Sequence, residues 1–221
     1  MKRDSLRRVR ILRILMFYFR HWADKRSFVK GSNNSIQNKG IKVASRIQIK
    51  GTGNVFINET GSVIYRSVIR INGAGNRIVL HSGAYISGAE LYIEDNNCTI
   101  EIGSNTYVGH HSHLACTEDG RVIKIGNKCM LSSYVQMRTG DSHSILDLAN
   151  HNRINYAADI NIGDHCWIGE GARILKGVNL ENDTVVGTGA IVTKSAGPNE
   201  LLAGAPARVV KENISWDEQR K

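Results

Sequence analysis

The 221-residue chain is 41% apolar and 22% charged, which supports a packed domain and excludes wholesale disorder. Its net charge of +9 is unevenly placed: residues 1–30 hold ten Lys/Arg and two Asp, whereas the other 191 residues hold 19 basic and 18 acidic side chains. The body therefore lacks the focused basic surface that a nucleic-acid groove requires, and no nucleic-acid partner is expected.

Leu6, Val9, Leu12, Leu15, Met16, Phe19 and Trp22 recur at spacings of three and four, with Arg3, Arg7, Arg10, Arg13 and Arg20 mostly off that stripe. The pattern predicts an amphipathic α-helix over residues 3–24, inside a basic N-terminal segment 1–30. Its apolar stripe can pack on the body or a neighbouring subunit. Alternatively, residues 1–24 can lie in an anionic membrane interface. The run Ile11–Phe19, interrupted by Arg13, is too short to span a bilayer, which takes roughly 18 residues or more. The opening also lacks the small-residue cleavage pattern of a secretory signal. With four cysteines and no C-x-x-C pair, a cytoplasmic protein is expected.

From about residue 31 the texture changes to short aliphatic alternations separated by Gly, Asn, Ser and Thr. Gly51-Thr52-Gly53-Asn54, Gly73-Ala74-Gly75-Asn76 and Glu94-Asp95-Asn96-Asn97 form a loose repeat with asparagines 22 and 21 residues apart. A period of six then runs through Ile102, Val108 and Leu114, slips near Glu118-Asp119-Gly120, and resumes at Ile125, Leu131 and Met137. After about twenty residues without hexads it returns at Ile162, Ile168, Ile174, Leu180, Val186 and Val192. Cys166, Ala172, Val178, Thr184 and Ala190 fill the fifth positions of these later hexads. A six-residue period does not sustain a helical face, whereas one inward aliphatic and one inward small residue describe a short strand and a corner. Three hexads close a triangular coil, and stacked coils bury a column of side chains. The expected body is all-β, a parallel β-helix over residues 31–211, with a loop at 138–159 and a tail at 212–221.

The stretches Ile162-Gly163-Asp164-His165-Cys166-Trp167-Ile168-Gly169, Val186-Gly187-Thr188-Gly189-Ala190-Ile191-Val192-Thr193-Lys194 and Ala203-Gly204-Ala205-Pro206-Ala207-Arg208 carry a family likeness. The chain resembles the left-handed β-helix hexapeptide-repeat acyltransferases over roughly residues 100–213, with residues 45–99 as an extension. The likeness is greatest to the sugar O-acetyltransferases of bacterial surface-polysaccharide loci. It implies a left-handed β-helix, a homotrimer, acetyl-CoA as co-substrate and a sugar acceptor in O-antigen or capsule biosynthesis.

The 138–159 loop holds Asp141, His143, Asp147, His151 and Arg153. By resemblance, His143 is the general base on the acceptor hydroxyl, a task suited to an imidazole that titrates near neutrality. Asp141 or Asp147 is available to orient its other ring nitrogen, and Asp141 is grouped with His143 as the candidate catalytic pair. The resemblance also implies a coenzyme groove between neighbouring subunits. Trp167 would flank the pantetheine arm, Thr188, Thr193 and Lys194 would line the groove, and Arg208 and Lys211 would meet the phosphates. Glu170 departs from the small residue that some relatives carry after W-I-G.

His110, His111 and His113 raise the alternative of a metal enzyme like the gamma carbonic anhydrases, but no H-x-x-x-x-H pair exists and no metal is expected. His165 is expected at the surface, and Cys129 and Cys166 in the core. Other readings are N-acetylation of a nucleotide-linked amino sugar, a serine-type small-molecule acetyltransferase, and a non-catalytic β-helix scaffold.

Overall fold

A computed structural model describes residues 26–221; the N-terminal helix expected from the sequence, and the membrane contact expected of it, fall outside the described residues. Within the described residues the fold is all-β, with 24 strands in three sheets of eight, seven and nine. The sheets are the faces of a solenoid. The first runs from Phe28–Lys30 to Ile191–Val192, the second from Ser35–Asn38 to Asn179–Leu180, and the third from Ile41–Val43 to Ala207–Lys211. Each strand pairs in parallel with the strand one coil away; the last pairing, Leu201–Gly204 with Ala207–Lys211, is an antiparallel hairpin. No described helix is long and apolar enough to cross a membrane.

The hexad aliphatics visit the faces in turn. Ile162 and Leu180 stack on the second face, Ile168 and Val186 on the third, and Ile174 and Val192 on the first. Side chains alternate across a strand, so one aliphatic per strand turns inward and its neighbour faces solvent. Ile69, Leu91, Leu114, Met137 and Ile174 form one such fully buried column, with Cys129 and Cys166 also in the core. Fully burying each aliphatic contributes about 1.5–3 kcal/mol before chain entropy is counted.

The loose upstream repeat has a different origin. Asn76 accepts from Cys98 N and donates to Asp95 O, and its own N–H donates to Asn54 Oδ1, 22 residues before it. The coil is thus a regular 22 residues here, and the successor of Asn76 is Cys98, not Asn97. The recurrent glycines serve close approach: a Cβ at Gly51 or Gly73 would lie 1.8 Å from a carbonyl oxygen of the next coil.

One predicted boundary needs correction. Phe28–Lys30, grouped with the N-terminal segment, pairs with Gln48–Lys50, so the solenoid begins before residue 31. The tail at 212–221 is docked: Ile214 and Asn199 exchange two hydrogen bonds, and Trp216 Nε1 donates to His165 O at 2.7 Å.

Candidate active site

The chain leaves the corner between the first and second faces after Gln136–Arg138 and rejoins the second face at Ile160–Ile162. An antiparallel bridge, Leu146 to Arg153, ties the excursion to itself. Inside it Asn155 is buried, 8% exposed. Asn155 Nδ2 donates to Asp141 Oδ2 and to His143 O, both at 2.8 Å, while its Oδ1 accepts from Ile145 N at 2.7 Å. One amide thereby holds both arms of the loop, as a buried polar group must be paired.

Two ion pairs fasten the loop to the coils. Arg153 makes a bidentate contact with Glu118, the planar match that favours arginine over lysine. Lys176, one coil further on, reaches Asp141 Oδ2 and Asn155 O. Arg153 holds the Glu118 carboxyl below the usual carboxylate range, and Lys176 does the same for Asp141. Gly140 permits the close pass: a Cβ there would lie 2.7 Å from Thr117 Oγ1 and 2.9 Å from Glu118 Oε1.

His143 stands in the wall between two cavities. One, of about 520 Å³, is lined by Gln136, Arg138, Asp141, Arg173 and Lys176 with His143. The other, of about 300 Å³, is lined by Glu94, Asp95, Thr117, Glu118 and Arg153 with His143. Asp141 and His143 thus share a cavity, but neither loop carboxylate bonds the His143 ring. Asp141 engages Lys176 and Asn155, and acts on His143 only through the amide that binds its carbonyl. Asp147 instead accepts from Ala149 N and Asn150 N in the loop's own turn.

The six residues assigned to coenzyme are exposed and line neither cavity. Thr193 and Lys194 follow Ile191–Val192 at the same corner as the loop, in the coil stacked on Leu175 and Lys176. Thr188 lies at the corner between the third and first faces, and Trp167, Arg208 and Lys211 lie on the third face. Trp167 Nε1 is 3.4 Å from Ser132 Oγ, and its ring leans on Trp216 of the tail, centroids 6.0 Å apart. A single chain does not gather these six around His143.

Four further histidines outside the loop have local partners. His110 Nε2 is 3.1 Å from Ser87 Oγ, His111 stacks on Tyr134, and His113 stacks on Tyr92 near Glu90. His165 is partly covered, stacked under Trp216 at 4.5 Å with Nδ1 2.7 Å from Asp183 Oδ1. Among the described residues no group of three or more His, Cys, Asp or Glu could hold a metal ion. The four cysteines are free and buried; the hydrogen bond to Cys98, then burial, pushes the Cys116 thiol up, and the hydrogen bond to Cys129, then burial, does the same for Cys166.

Sequence reasoning missed Asn155, Glu118, Arg138, Arg173 and Lys176. Only Glu118 left a signal, the slip in the hexads, which marks the turn that grips Arg153.

No protein-family model matches the chain. It is 35% identical over 122 residues to the polysialic acid O-acetyltransferase of Neisseria meningitidis, covering 55% of this chain and 56% of that protein. It is 32% identical over 113 residues to the galactoside O-acetyltransferase of Escherichia coli (strain K12), covering 51% of this chain and 54% of the relative. The chain thus spans about half the length of these curated relatives. The crystal structure of the polysialic acid O-acetyltransferase OatWY superposes with a TM-score of 0.83 at 32% identity, over 89% of this chain and 92% of that one.

Proposed function

From the chain's membership of the hexapeptide-repeat acetyltransferase family, we propose that it transfers an acetyl group from acetyl-CoA to a sugar hydroxyl in surface-polysaccharide (O-antigen or capsule) biosynthesis. The observation that carries this reading is His143, held on a fastened loop in the wall shared by two cavities. One cavity presents the thioester and the other the alcohol. The imidazole takes the hydroxyl proton as the oxygen attacks the acyl carbon. Collapse of the tetrahedral adduct expels the thiolate, which recovers that proton from the imidazolium as free CoA. The transfer is direct in this scheme, since the four cysteines are buried in the core, out of reach of a thioester.

Asp141 is a positioning residue in this scheme, acting through Asn155 on the main chain of His143. Trp167, Thr188, Thr193, Lys194, Arg208 and Lys211 serve the coenzyme in a homotrimer, where a second copy brings its third face to the loop corner of the first. This arrangement is supported by their spread over separate parts of one chain. A thioester donor and four free thiols suit the reducing cytoplasm, at the inner side of a membrane if residues 1–24 dock there.

The test is CoA-thiol release by the purified full chain with acetyl-CoA and a panel of sugars. His143→Ala should lower turnover by about 10²–10⁴-fold, the range for a lost general base, with the mass of the assembly unchanged in light scattering. Undiminished turnover by that variant removes the proposed base.

A further inference from the structure

The corner that carries the loop changes electrical sign at His143. Before the loop, the turns of this corner present Glu94 and Asp95, then Thr117 and Glu118 one coil later. Beyond it come Lys176 and, another coil on, Lys194, flanked on the first face by Arg138 and Arg173. The 300 Å³ cavity therefore sets three carboxylates against Arg153, and the 520 Å³ cavity sets Arg138, Arg173 and Lys176 against Asp141.

The free hydrogen-bonding capacity follows the same division. Arg153 directs both terminal nitrogens at Glu118, and Nη2 and Nε also at Asn155, so it offers an incoming carboxylate little. Asp95 uses only Oδ2, on Glu118 N. Thr117 is 3% exposed, lines this cavity, and its hydroxyl has no hydrogen-bond partner among the described residues. That hydroxyl can serve a ligand as donor or acceptor, whereas the acceptor oxygens of Glu94 and Asp95 beside it fit a ligand that brings its own donors. On the other side, the Arg173 guanidinium has no hydrogen-bond partner among the described residues, which fits an anionic ligand.

We infer that the smaller cavity is the acceptor subsite and that Glu94 and Asp95 select a saccharide unit with no carboxylate or phosphate beside the acetylated hydroxyl, a neutral or amino sugar. The polyanionic acetyl donor then occupies the basic side. The inference rests on the acetyl-transfer reading and sharpens its substrate class. It separates this chain from its relatives that act on polysialic acid, an acidic polymer.

The experiment is equilibrium binding to the full chain without acetyl donor, using trisaccharides of N-acetylglucosamine (neutral), glucosamine (cationic) and sialic acid (anionic). The neutral or cationic sugar should bind at least about tenfold more tightly than the anionic one, since like charges at a binding surface discriminate strongly. Glu94 is exposed, so Glu94→Gln should fold normally and shrink that gap, and Glu94→Lys should move the preference toward the sialic acid trimer. Equal binding of all three, binding of none, or a preference unmoved by Glu94→Lys overturns the subsite. Thiol release after acetyl-CoA is then added to the same samples tells the two readings apart. Selective binding without transfer sinks the acetyl-transfer reading alone, and transfer that favours the acidic sugar sinks the subsite alone.

Discussion

The coils before the loop and those after it bury the same kind of column by different means. Before it, strands reach five residues, as in Arg46–Lys50, Val68–Asn72 and Glu90–Glu94, and coils repeat at 20 residues at the start and then at 22 or 23. After it, Trp167–Ile168, Arg173–Ile174 and Asn179–Leu180 are two-residue strands in coils of 18. The surplus of the wide coils goes into corners, where Asn54 and Asn76 form a buried ladder and Glu118 extends to meet Arg153. The narrow coils are close to the minimum of three hexads. The site sits where the two regimes meet, since an irregular segment is accommodated at a corner without disturbing the stacked core.

Breaking a wide coil should have the largest effect on stability. Phe56 is fully buried in the second face, and Phe56→Ala should cost about 3–5 kcal/mol in denaturant unfolding. In a solenoid each coil leans on its neighbours, so hydrogen exchange should rise first around residues 35–80 and leave 160–204 protected. Equal loosening of both halves would remove the distinction. Asn76→Ala comes next: it strands Cys98 N and Asp95 O, at about 1–3 kcal/mol, and a loss below about 0.5 kcal/mol would make the ladder ornamental.

The loop should respond with little change in the coils. Arg153→Met breaks a partly exposed ion pair, so global stability should fall by no more than about 1 kcal/mol. Limited proteolysis should nevertheless cut within 139–159, and turnover should drop. A drop in melting temperature without loop cleavage would place Arg153 in the coils' stability instead. The smallest effect is pH-dependent. Glu118 and Asp141 have carboxyl groups held below their usual values, so their contribution to loop anchorage is complete above the unfolded-state values near pH 4. It is lost as pH falls through the lower folded-state values. Exchange of the Ile145 and Ile154 amides should stay slow down to about pH 4 and quicken below it. Quickening that begins near neutrality would point to another group.

Legibility in the sequence followed the regularity of the coil. The hexads from Ile162 to Val192 predicted which residues face inward because an 18-residue coil leaves no spare positions. Upstream, insertions at the corners shift the phase, and Asn97 was mistaken for the ladder position that Cys98 occupies. The break in the hexads marked the loop, while the choice of His143 over His151 within it came from the family resemblance. The role of Asn155 was hidden because an asparagine twelve residues from His143 meets it only when the loop folds back.

By itself, the sequence determined the architecture and where the loop that carries His143 leaves it, because inward aliphatics at a fixed period admit one way of burying them and their interruption marks an excursion. Only the tertiary structure decided what surrounds the His143 imidazole. Glu94, Thr117, the loop residues Asp141 and Arg153, and Lys176 come from successive coils, and parallel stacking brings residues distant along the chain to one edge. Charge patterns at such an edge obey the coil repeat, not chain proximity, so they become visible only once the coils are stacked.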